Sequence, residues 1–143
     1  MADYKHAILK VLLTEGGYAN DADDSGGETY KGISRANWPQ WAGWKLIDQA
    51  KKQAGWSAAN LERSRVLSKV PGLKDLVIAF YKTNFWNPIG GDFIKDQDFA
   101  DKIVDAAVNE GVKGGVRHAQ KILHLQETGV INNELVKRLN SMV

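Results

Sequence analysis

Apolar residues recurring at three- and four-residue steps run through this chain and commit it to a core built from helices. The longest such stripe is Leu73, Leu76, Val77, Phe80, Tyr81 and Phe85, which predicts a helix from Leu73 to Phe85 after the break at Pro71-Gly72. A second helix is expected over Phe99 to Asn109, where Ile103, Val104, Ala106, Ala107 and Val108 are apolar on more than one side, the pattern of a central, buried element. Trp44 to Ala54 carries Leu46, Ile47 and Ala50 and stops at Gly55, and Ser57-Ala58-Ala59-Asn60 opens another short turn or helix. Strands are scarce: Thr29 to Ile33, with a partner near Tyr18, makes one small hairpin. The expected class is mainly α, a helical bundle around a central buried helix with a small β-hairpin.

Such a bundle must be held by packing alone. The 143 residues contain no cysteine, which removes disulfides, thiolate metal sites and cysteine nucleophiles together. With 43% hydrophobic and 25% charged residues, the length fits one domain with a sizeable core. A formal net charge of +2 favours approach to an anionic polymer but is too small to argue for nucleic-acid binding. No run of eighteen apolar residues occurs, so no membrane span is expected. His6, His118 and His124 are scattered without the spacing of a zinc motif, and neither metal nor cofactor is expected. Ser25-Gly26-Gly27 supplies only half the context of a serine hydrolase.

The first helix ends in a way that points to chemistry. Tyr4, Ala7, Ile8, Val11 and Leu12 form its apolar face, and Glu15 falls at the next step of four from Val11, where the pattern asks for a hydrophobe. Gly16-Gly17 is expected to supply the positive φ that ends the helix. A carboxyl there meets the negative pole of the helix dipole and apolar surroundings, a setting in which an acid keeps its proton for donation. Spacing alone also allows a last-turn glutamate that bends out to solvent. Downstream, a loop rich in Asn20, Asp21, Asp23, Asp24, Gly26 and Gly27 can turn back sharply and hold Asp24 and Thr29 opposite Glu15 across a groove. Two carboxyls in unlike environments divide acid and base roles in glycoside hydrolysis. Taken singly, Asp24 also suits an Asx turn, and Thr29 a turn or strand.

Glu15-Gly16-Gly17-Tyr18, Asn20-Asp21, Asp24-x-Gly26-Gly27-x-Thr29 and Gly32-Ile33-Ser34 together resemble the signature of the glycoside hydrolase family 108 N-acetylmuramidases, some of which carry the label secretion activator proteins. Tyr81-x-x-x-Phe85-Trp86-x-Pro88 and Asp105-x-Ala107-x-Asn109-x-Gly111 extend the resemblance to about Gln126. It implies an α+β, lysozyme-like fold with the hairpin beside the cleft, and a catalytic acid at Glu15. The spacing of Glu15, Asp24 and Thr29 is also similar to that of phage-type lysozymes, whose threonine lies one residue further on, and this adds Asp24 and Thr29 to the implied site. Ala22 departs from the family pattern, where proline is frequent.

The implied substrate is the peptidoglycan glycan strand, cleaved between N-acetylmuramic acid and N-acetylglucosamine. Tyr18, Asn20, Tyr30, Trp38 and Asn109 are candidates to bind it, because aromatic faces stack on sugar C–H faces. Trp38, Trp41 and Trp44 cluster beside Pro39, and Trp86 suits either the core or a cleft wall. Asp105 and Asn109 are one helical turn apart on a helix expected to be buried, so they either line the cleft floor or tie that helix to the loop around Asn20 or Thr29. Residues 1–126 are expected to form the catalytic domain, and 127–143 the remnant of a C-terminal peptidoglycan-binding module packed on it as effectively one domain. His118 to Gln126 resembles that module's opening helix, and Leu135 to Leu139 its closing one. A monomer is expected. With no export signal visible, reaching the wall from the cytoplasm would take a holin-like partner, lysis or a dedicated route, as for a prophage endolysin. The alternatives are a wall-binding or secretion-assisting protein without turnover, and a glycosidase of chitin-like polymers.

Overall fold

The structure, a computed structural model, describes residues 2–20, 27–53, 55–56 and 59–141. Among these, helices predominate: α1 (Tyr4–Thr14), α2 (Gly43–Lys51), α3 (Asn60–Ser68), α4 (Leu73–Tyr81), α5 (Gln97–Glu110), α6 (Val112–Ile122) and α7 (Asn133–Asn140). Three two-residue strands, β1 (Tyr18–Ala19), β2 (Thr29–Tyr30) and β3 (Ile33–Ser34), form one antiparallel sheet in that order. The chain divides into two compact units, one of Met1–Val11 with Tyr81–Val143 and one of Leu12–Phe80.

In the unit formed by the chain ends, α5 and α6 lie in close contact because Gly115 has no side chain. A Cβ there would come within 2.8 Å of the Ala107 Cβ and 2.9 Å of its Cα. Phe99, Ala100, Ile103, Val104 and Ala107 of α5 are buried, as are Ala7 and Ile8 of α1. Asp96 caps α5 by accepting from the Phe99 amide at 2.8 Å, and Asn132 caps α7 from Leu135 in the same way. The tail is tied to α6 through buried Gln120, which accepts from the Gly129 amide and donates to Thr128 and to the Val130 carbonyl.

Several elements differ from the periodic pattern. The helix expected through Phe85 leaves α geometry after Tyr81 and widens into a π turn over Lys82–Trp86. That extra residue turns Trp86 fully inward, which assigns it to the core. The helix predicted for His118 to Gln126 begins earlier, at Val112, and stops at Ile122, with His124 in the left-handed region (φ 58°).

Helix α5 is buried on one side rather than all round. Asp105 and Asn109 lie on its exposed face and bond each other at 3.3 Å, so they carry no burial penalty and need no further partner. The buried acid of α5 is instead Asp101, which is 4% exposed, accepts from Gln97 at 2.8 Å and lies 3.2 Å from His6 Nδ1.

In the unit of residues 12–80, Trp44, Ile47, Leu67, Leu73, Val77 and Phe80 are buried. Trp44 Nε1 donates to the Trp38 carbonyl at 2.9 Å, so the tryptophan cluster folds on itself instead of presenting three open faces. The strand predicted for Thr29 to Ile33 is two strands. Lys31 (φ 51°) and Gly32 (φ 81°) form a two-residue turn with both residues left-handed, the geometry whose twist suits a tight hairpin, and it folds β3 back on β2.

Candidate active site

Glu15 is the first residue beyond α1 and is half-buried. Among the described residues its carboxyl has no hydrogen bond and no ion pair. The helix does not end on a positive φ: neither Gly16 nor Gly17 lies in the left-handed region. Gly17 is required for a different reason. A Cβ there would collide with the Ser64 hydroxyl and come within 2.8 Å of the Ser64 Cβ, because α3 presses directly on the backbone leading into β1. Ser64 accepts from the Tyr18 amide at 2.8 Å and donates to the Asn60 carbonyl, fixing that approach.

The sheet then brings the second expected site residue back. In β1 and β2, Tyr18 pairs with Tyr30 and Ala19 with Thr29, and the Lys31 amide continues the pairing to the Gly17 carbonyl at 3.1 Å. Thr29 therefore lies on the strand beside the one that follows Glu15. It is half-buried, and its hydroxyl is unbonded among the described residues. Asp24 lies outside the described residues, as do Ala22 and the rest of 21–26.

The binding candidates separate by exposure. Tyr18 and Tyr30 are each 3% exposed, so neither ring offers a face to a sugar in this structure. Both became core residues because they face each other across β1 and β2 on the buried side of a sheet too narrow to hide them otherwise. Trp38 remains 40% exposed with its edge-on contact to Phe80 at 4.9 Å, and Asn20 is exposed. Asn109 is exposed on α5, in the other unit.

The chemistry that sequence reasoning missed is centred on Glu28. Its side chain is 10% exposed and accepts from the Tyr18 hydroxyl at 2.5 Å and from Arg35 at 2.9 Å, and it pairs with Lys51. Arg35 also forms a two-pronged bond to Asp48 at 2.7 and 2.8 Å. Desolvation alone would raise the Glu28 carboxyl, but hydrogen bonds from Lys51, Tyr18 and Arg35 outweigh it and hold the group below its ordinary 4.5. Arg35, through its bonds to Asp48 and Glu28, also lowers Asp48 from 3.8 and is itself raised. Burial first, and Glu28 second, raise the Tyr18 phenol above 10.0. For Lys51, desolvation would lower the ammonium, but the bond to Glu28 overcomes it and raises the group above 10.5. Nothing in the local pattern around Glu28 marks these partners, which come from 10 residues before to 23 after.

These directions set a pH dependence. Carboxyls lowered on folding stabilise the protein above their ordinary values and lose that contribution as pH falls through the lower folded ones. Tyr18 and Lys51, raised on folding, contribute below their ordinary values and lose it as pH rises past the folded ones. The cluster should therefore hold its full effect between about pH 5 and pH 10 and weaken on both sides. Denaturant unfolding of the parent and of Glu28→Gln tests this. The stability gap between them should narrow below about pH 4.5, and a gap that stays constant down to about pH 3 contradicts it.

Glu15 has no ion pair among the described residues, whereas Lys51 and Arg35 hold Glu28 as an anion. A mainly helical chain with a small antiparallel sheet following the first helix has a lysozyme-like fold. It is similar to the structure of Brucella abortus SagA, with a TM-score of 0.58 at 23% identity, over 98% of this chain and 70% of that one. Residues 8–111 match the family described as Glycosyl hydrolase 108, and the chain belongs to that family of glycoside hydrolases. No curated protein sequence matches it. Among the described residues no helix is long and apolar enough to cross a membrane, and no group of three His, Cys, Asp or Glu side chains is arranged to hold a metal.

Proposed function

We propose that the protein is an N-acetylmuramidase that hydrolyses the β-1,4 bond between N-acetylmuramic acid and N-acetylglucosamine in peptidoglycan. The observation that carries this reading is the family match over residues 8–111, a span that includes a half-buried Glu15 with no competing partner among the described residues. Glu15 donates its proton to the glycosidic oxygen as the bond to the anomeric carbon breaks. Asp24 stabilises the positive charge that develops on the sugar or activates the attacking water, and Thr29 orients that water through its hydroxyl, which is unbonded among the described residues. Trp38, with its partly open indole, and Asn20 bind the glycan strand. The carboxyls of Glu15 and Asp24 set the stereochemical outcome: roughly 5–5.5 Å apart gives retention and 6.5–9.5 Å gives inversion.

The test is to digest purified peptidoglycan, reduce the products and identify the new end. Reduced muramic acid supports the proposal, whereas reduced glucosamine moves the cleavage to the other bond of the repeat. Retention of the protein on insoluble peptidoglycan without release of any reducing end indicates a wall-binding protein, and turnover confined to chitooligosaccharides indicates a chitin-type enzyme.

A further inference from the structure

We propose that Glu28 is the positioning residue of this site, holding the strand that carries Thr29 in register with the strand that follows Glu15. The inference rests on the muramidase reading above. Three features of the structure converge on it.

The ladder itself is too short to fix the geometry. Strands β1 and β2 have two residues each, and so small a hairpin has little intrinsic stability in water. Side chains must set the register. Glu28 joins separate pieces: its carboxylate receives the Tyr18 hydroxyl from β1, Arg35 from the residue after β3, and Lys51 from the end of α2.

Its place in the chain connects it to both proposed catalytic groups. Glu28 shares a peptide bond with Thr29, and Tyr18 lies three residues after Glu15. The Tyr18–Glu28 bond at 2.5 Å thus ties β1 to the residue that precedes Thr29. The Glu28 carbonyl accepts from the Arg35 amide at 2.9 Å, so the backbone on this side is held as well.

The requirement is for a carboxylate, not merely for a polar group. Glu28 is asked to accept from a hydroxyl, a guanidinium and an ammonium together, and only an ionised carboxyl presents acceptors on both oxygens. In Glu28→Gln one oxygen becomes an NH₂ that faces a donor, and one partner is lost. The hairpin then shifts, and small misplacements at a site cost turnover steeply.

Kinetics on a soluble peptidoglycan oligosaccharide, at a temperature where circular dichroism shows each variant folded, test this. Glu28→Gln should lower kcat by about 10- to 100-fold with KM changed by less than about threefold. Tyr18→Phe removes one hydroxyl and leaves both ion pairs, so kcat should fall in the same direction by a smaller factor. This second variant decides the matter if Glu28→Gln does not fold. Unchanged kcat in a folded Glu28→Gln, or in Tyr18→Phe alone when only that variant folds, overturns the inference, as does a loss that merely follows the unfolded fraction. Glu15→Gln run alongside separates the two levels. If it is inactive while Glu28→Gln turns over normally, only the positioning role fails. If Glu15→Gln is itself active, the muramidase assignment of the acid fails and the positioning role falls with it.

Discussion

Glu15→Gln should fold as the parent does and release essentially no reducing sugar from purified peptidoglycan. Glutamine keeps the size and shape of the side chain, and Glu15 makes no hydrogen bond or ion pair among the described residues whose loss would weaken the fold. What disappears is the proton. General acid catalysis contributes about 10²- to 10⁴-fold, so turnover should fall by that order with KM little changed. Turbidity loss of cell-wall suspensions and assay of new reducing ends read the effect, and a thermal melt checks folding. A variant that lyses at the parental rate would remove Glu15 from the mechanism, and the carboxyl of Glu28 would be no substitute, because Lys51 and Arg35 hold it ionised.

The largest structural effect is expected at Trp86. Its side chain is fully buried, its indole N–H donates to Asp92 at 2.9 Å, and its rings lie against Gly91 so closely that a Cβ at that glycine would overlap them. Trp86→Ala removes this packing and leaves a cavity, for a loss of about 3–5 kcal/mol. That is a large part of the roughly 5–15 kcal/mol that holds a domain folded. The melting temperature should fall by roughly 10–20 °C. Trp86→Phe should recover part of the loss, since it refills some of the volume without the hydrogen bond. A melt of Trp86→Ala within about 3 °C of the parent would mean that the indole is not part of the core.

Trp86 belongs to the unit of the chain ends and Glu15 to that of residues 12–80. The glutamate variant should lose activity when fully folded.

Much of this was legible in order of residues. The stripes at Tyr4–Leu12, Trp44–Ala50 and Leu73–Tyr81 fall on α1, α2 and α4, because a helix buries whichever face carries its apolar side chains. The glycines at 55 and 72 adopt the positive φ that breaks require (92° and 83°). The family was legible too, since its motifs lie in short contiguous blocks within residues 8–111. Less legible was what a residue type does once it is placed. Gly17 was expected for its backbone freedom and is needed for the space that Ser64 occupies, 47 residues later. Tyr18 and Tyr30 have the chemistry of a sugar platform, yet their pairing turns them into the core.

From its order of residues alone, this chain determined a helical core without cross-links, the turn residues that punctuate it, and the family to which it belongs. Those properties depend on periodicity and on neighbours within a few positions. The tertiary structure decided that Asp105 and Asn109 face solvent, that Trp86 enters the core through a π turn, and that Glu28 is clamped by Tyr18, Arg35 and Lys51. Each of these depends on which distant segments meet, and the energy of a buried charge is set by the partners that surround it rather than by the residues beside it in the chain.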